Sequence, residues 1–112
     1  MAEFVNLTRS DMKIIADDGT TYVLPTIGRN AHVRKIVRSV YQHEGFPITD
    51  ISYEIRGMPD HEEGKLYVVS WKTLLMMNAL GYDTSDVYAP DSFIRSDDGR
   101  VSGARSLSRI AQ

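Results

Sequence analysis

The sequence predicts a β-rich α+β domain, one unit over residues 1–112, in which antiparallel hairpins carry a single short helix on the sheet. Three observations lead there. Asp-Gly occurs twice, at Asp18-Gly19 and Asp98-Gly99, each time between runs of strand formers, the strongest short-range hairpin signal. Lys65-Leu-Tyr-Val-Val-Ser70 has the apolar character of a strand buried in a sheet centre. Only residues 71–80 combine helix formers with an N-cap and a terminating glycine.

In the first hairpin, taking Asp18 and Gly19 as a two-residue loop places Ile15 opposite Tyr22 and Ile14 opposite Val23. Both faces of the ribbon then carry apolar pairs, which predicts cover on both sides. The same geometry in the second hairpin sets Asp97 opposite Arg100 and Ser96 opposite Val101. Phe93, Ile94, Val101 and Leu107 in its arms need a core, so "SDDGRVSGARSLSR" reads as a hairpin and exit strand rather than a solvated arginine tail.

Residues 31–43 fit two descriptions. Val33, Ile36, Val37, Val40 and Tyr41 make a helical stripe, while their β-branched richness favours a strand. The neighbouring Asp50-Ile-Ser-Tyr-Glu-Ile-Arg56 alternates apolar and polar and needs a partner, which tips the balance to strand. Residues 57–64 read as a loop. In the helix, Ser70 is the N-cap, Gly81 the stop, and Leu74, Leu75, Met77 and Leu80 are expected to lie on the sheet.

Composition narrows the function. The chain is 42% hydrophobic and 25% charged, ordinary for a folded protein, and its net charge of -2 removes the positive field that nonspecific nucleic-acid binders and membrane-surface proteins rely on. Neither nucleic acid nor membrane is an expected partner. With no cysteine there is no disulfide framework, thiolate nucleophile or zinc ribbon. Met1-Ala-Glu-Phe-Val-Asn has none of the character of a signal peptide, and no apolar run reaches the roughly 18 residues of a membrane span, so a cytoplasmic location is expected.

Catalytic and metal signatures are likewise not found. His32, His43 and His61 lack the short spacings of metal ligands, and Asp60-His61-Glu62-Glu63 lacks the D-x-D-x-D-G ladder of a calcium loop. No G-x-S-x-G elbow, G-x-G-x-x-G or P-loop is present. No enzyme activity, metal or cofactor is therefore expected, and a hydrolase built on the Asp60-His61-Glu62-Glu63 loop is the weakest reading. What remains is an arginine grouping, Arg95, Arg100, Arg105 and Arg109, with only Asp97 and Asp98 between them. Arginine forks hold phosphates and carboxylates bidentately, so these four are the candidate binding residues for a ligand or partner.

Several segments together carry a resemblance: the opening Val5-Asn6-Leu7-Thr8, Pro25 and Gly28 ahead of Ala31-His-Val-Arg34, Tyr67-Val-Val-Ser70, and the spacing Arg95-x-x-x-Gly99-x-x-x-Gly103. In this order they resemble a family of small uncharacterised proteins encoded by phages and prophages. The family continues its opening with Pro-His, where this chain has Arg9-Ser10, and has Pro-Ser-Gly where this chain has Pro25-Thr-Ile-Gly28. The resemblance implies a setting and no reaction: an accessory protein of a mobile element, acting in the host cytoplasm by binding.

Two functions of different classes follow. The first is a nonenzymatic binding protein, a counter-defence inhibitor of a host or defence-system protein, using the sheet face and loops the helix leaves free. The second is a sponge that sequesters a phosphorylated small molecule or nucleotide signal between arginines, at a subunit interface of a homo-oligomer.

Overall fold

The structure is a computed structural model and describes residues 3–111. Its elements are β1 (Glu3–Asn6), β2 (Met12–Ile15), β3 (Thr21–Leu24), β4 (His32–His43), β5 (Phe46–Arg56), β6 (Lys65–Val68), α1 (Trp71–Ala79), β7 (Val87–Arg95) and β8 (Val101–Ser108). Six strands form one sheet in the order β1-β6-β7-β8-β2-β3, and β4 and β5 pair only with each other. The protein is thus mostly β with one short helix, α+β only in the broad sense. Hairpins are only part of it, because β1–β6, β6–β7 and β2–β8 pair in parallel.

The six-stranded sheet curls until its edges nearly meet. Asn6 at the end of β1 bridges to Thr26, just beyond β3, and the buried Asn6 side chain locks the closure. Its Nδ2 donates to the carbonyls of Leu24 (2.7 Å) and Ser10 (3.0 Å), and its Oδ1 accepts from the Thr8 amide (2.9 Å) and hydroxyl (2.6 Å). A primary amide supplies both donors and acceptor here, so every polar atom of a buried side chain is satisfied.

Both Asp-Gly turns are hairpin tips, with registers one residue from those expected: Ile15 faces Thr21, Ile14 faces Tyr22, and Arg95 faces Val101. The loops have three residues instead of two. The Gly19 and Gly99 amides donate to the Ala16 and Ser96 carbonyls, while the Ala16 and Ser96 amides donate across the turn to the Thr20 and Arg100 carbonyls. Only the glycines, at φ 86° and 84°, enter the left-handed region. The two-residue alternative would push an aspartate there as well, so the longer loop wins. Cover is also thinner than expected, since Tyr22 and Val23 on β3 are exposed.

The main core lies where α1 meets the sheet: Leu74 and Met77 pack with Val5, Leu7, Ala31, Tyr67, Val69, Val87 and Ala89. Ser70 caps α1 by accepting from the Thr73 amide (3.3 Å), and Trp71 Nε1 donates to the Pro90 carbonyl (2.6 Å). Leu75 and Leu80, expected in the core, are instead exposed, at 56% and 44%. One helix on one curved face can bury only one stripe, and Thr73, Leu74 and Met77 occupy it. No helix among the described residues is long and apolar enough to cross a membrane.

Residues 32–43 are a strand, and a long one. With β5 it makes a two-stranded ribbon turned at Glu44-Gly45, whose φ values of 50° and 83° are those of a tight two-residue hairpin turn. The radius of gyration, 17.2 Å, exceeds the roughly 13 Å of a compact chain of this length. The ribbon is an arm reaching out of the body.

Candidate functional site

The arm is fixed at its root. Ala31 donates to the Leu7 carbonyl (2.9 Å) and accepts from the Thr73 hydroxyl (3.3 Å), which ties the start of β4 to the core. On the other strand, Arg29 Nε and Nη2 donate to the carbonyls of Gly57 (2.6 Å) and Met58 (3.2 Å). Gly57 itself, at φ 84°, passes so close that a Cβ there would lie 2.3 Å from the Asn30 oxygen. Ile55 packs against the core cluster.

Beyond the root the two faces differ in chemistry. Residues opposite each other share a face, so one face carries Val33/Ile55, Lys35/Tyr53, Val37/Ile51 and Val40/Thr49. The other carries Arg34/Glu54, Ile36/Ser52, Ser39/Asp50 and, near the tip, Tyr41/Ile48 and His43/Phe46. A bulge at Arg38 separates the halves of β4 and decides this sorting. Strict alternation from Val37 would turn Val40 to the polar face; the extra residue returns it to the apolar one.

The polar face is internally bonded. Glu54 meets Arg34 (3.8 Å) and Arg56 (3.4 Å), Arg38 Nε donates to Ser52 (2.8 Å), and Ser39 donates to Asp50 (3.0 Å). The apolar face has no cover: Val37 is 52% and Val40 70% exposed, and Ile51 opposite Val37 is 42% exposed. An isolated two-stranded ribbon is marginal in water, and a contiguous exposed apolar strip is the usual mark of a binding surface.

The edges of the arm discourage strand addition. β4 presents Arg34, Lys35 and the Arg38 bulge, and β5 presents Pro47, which has no N–H to give. Cations, bulges and prolines are the devices that keep sheet edges from pairing. The face, not the edge, is what the arm offers.

The C-terminal arginines are spread along β7 and β8 rather than gathered. Arg95 braces its own turn, Nη1 donating to the Gly99 carbonyl (2.9 Å), and Arg100 lies 3.6 Å from Asp98 in that turn. Arg105 is exposed in the middle of β8. Arg109 lies past the far end of β8, donating to the Ser85 carbonyl (2.9 Å) with its guanidinium 5.9 Å from the Tyr88 ring centre. Arg100 and Arg109 are therefore about 30 Å apart along an extended strand. The recurring glycines have packing reasons: Gly99 makes the turn, and a Cβ on Gly103 would press within 3.1 Å of the Lys13 carbonyl on β2.

In the loop after β5, His61 Nδ1 sits against the Asp86 carboxylate beside a cavity of about 390 Å³ also lined by Asp60 and Asp83. Tyr67 holds this loop, its hydroxyl donating to Asp60 O (3.1 Å) and accepting from the Glu62 amide (3.0 Å). Among the described residues no three His, Asp or Glu side chains are placed to hold a metal ion. The sequence signal for the arm was present but divided, because the exposed residues belong to two strands whose shared face depends on the bulge.

No protein-family model matches the chain, and neither a curated protein nor a solved structure matches it.

Proposed function

We propose that this is a nonenzymatic binding protein that engages another protein through the apolar face of the β4–β5 arm. One observation carries the reading: a ribbon anchored rigidly at its root extends from the body with Val37, Val40, Ile51 and Tyr53 uncovered on one face. Full burial of each such side chain is worth about 1.5–3 kcal/mol, against an association cost of about 4–15 kcal/mol. The strip is therefore an anchoring patch, and its polar rim must add to it. Lys35, opposite Tyr53, is the charged residue on this face, so the complementary surface is apolar at its centre with an acidic group placed to meet Lys35. In the phage or mobile-element setting that the sequence resembles, the partner is a host or defence-system protein of the cytoplasm, and occupying it blocks it.

The test is co-purification from the host with tagged wild type, Val37→Asp, and Leu75→Asp as a control on an exposed body position. The reading expects one partner in fixed stoichiometry with wild type and the control and none with Val37→Asp. Equal recovery by all three would refute it.

A further inference from the structure

The start of α1 lies between two cavities, away from the exposed part of the arm and touching it only at its root, His32 and Val33. The larger, about 520 Å³, has walls of Met12, Trp71, Pro90, Phe93 and Val101, with Lys13 at its lining. The smaller, about 350 Å³, is lined by Arg9, His32 and Lys72. Thr8 and Ser70 line both, so the two are adjoining compartments, one aromatic and apolar, the other cationic.

In the smaller cavity the charge is uncompensated. Among the described residues Arg9, Lys13 and Lys72 have no carboxylate partner. Asp11 is the one carboxylate lining either cavity, and its Oδ1 is committed to the Thr26 amide (2.9 Å). Trp71 is held in place by its bond to Pro90 O, and Thr8 by its bonds to Asn6 and Ser10. The walls are thus set by the core, while the cations are left for something else.

We infer that this double cavity binds a nucleotide-class ligand, its aromatic ring against Trp71 and Phe93 and its phosphate among Arg9, His32 and Lys72. Apolar walls with a few convergent polar groups in a volume of this size are the usual form of a small-molecule site. Stacking on an indole suits a planar base, and two cations, Arg9 and Lys72, with the His32 imidazole beside them suit a phosphate. The residues differ from Arg95, Arg100, Arg105 and Arg109, although the ligand class is the one those arginines suggested.

Trp71 is the only tryptophan in the chain, so its fluorescence reports on this site directly. Wild type is titrated with adenosine monophosphate, adenosine and inorganic phosphate, excited at the red edge of the indole band. Lys72→Glu, Arg9→Glu and Arg105→Glu are titrated in parallel, with unfolding midpoints recorded for each. The inference expects a saturable change with adenosine monophosphate, about tenfold weaker with adenosine and about tenfold weaker in Lys72→Glu and Arg9→Glu, and unaltered in Arg105→Glu. It is overturned by no saturable response, by adenosine binding as well as its phosphate, or by Arg105→Glu weakening binding where Lys72→Glu does not.

Discussion

Asn6 Nδ2 donates to the Leu24 carbonyl at 2.7 Å across the seam where β1 approaches the end of β3. Eighteen residues apart in sequence, the two are joined by a side chain that is 1% exposed, and a curled sheet is thereby held nearly shut. The same amide holds Thr8, which lines both cavities at the start of α1.

Removing that amide should therefore unseat the seam. Asn6→Ala leaves the half-buried Leu24 carbonyl without this donor and the Thr8 amide without this acceptor, and is expected to lose about 1–3 kcal/mol. Asn6→Asp is expected to be worse at neutral pH and to recover partly near pH 3, because a protonated carboxyl can donate once where a carboxylate cannot. Urea unfolding at the two pH values measures both; an Asn6→Asp protein as stable as wild type at pH 7 would show that the seam does not matter.

At the arm's root, Gly57→Ala meets the Asn30 oxygen as well as an unfavourable φ, whereas Gly64→Ala, also at φ 84°, meets nothing within 4 Å. The second change should cost about 1–2 kcal/mol, the left-handed penalty alone, and the first clearly more. Thermal unfolding of the pair separates collision from conformation.

On the helix, Leu74→Ala should lose about 2–5 kcal/mol, as for emptying a packed site, and Leu75→Ala no more than about 0.5 kcal/mol, as for a surface position. Chemical denaturation of the two variants checks the orientation of α1. Reversed values would mean that α1 turns Leu75, not Leu74, to the core.

The two Asp-Gly turns should weaken in acid. The Thr20 backbone amide holds the Asp18 carboxyl below its ordinary value, and the Ser96 hydroxyl followed by the Arg100 amide does the same for Asp98. A depressed carboxyl contributes stability that is present above its unfolded value, near 4, and lost as pH falls through its folded value. Urea midpoints should thus fall below about pH 4, and less steeply in Asp18→Asn and Asp98→Asn. Identical slopes in wild type and both variants would contradict this.

Sequence made the turns plain because Asp-Gly chemistry is local. It missed their register by one residue, since whether Asp18 joins Gly19 in the left-handed region is settled by which loop closes with less strain. The strand-or-helix ambiguity of residues 31–43 arises because β4 carries apolar residues on both faces, Val33, Val37 and Val40 on one and Ile36 and Tyr41 on the other. Together they mimic helical spacing, and the bulge at Arg38 further breaks the two-residue period after Val37. The parallel pairings and the Asn6 seam are long-range, and nothing near Asn6 in the chain announces Leu24. For the arginines, closeness in sequence misled: a strand separates Arg100 from Arg109 by its full length, while Arg9, His32 and Lys72 converge from three distant segments.

The most direct test of the arm as the docking surface is site-specific photo-crosslinking in the host, with a photoreactive amino acid at position 40 on the arm or at position 101 on the body. The account predicts that one protein becomes attached at position 40 and not at 101, and that Ile51→Asp on the same face abolishes the adduct. Attachment at 101 but not at 40, or an adduct at 40 untouched by Ile51→Asp, would contradict it.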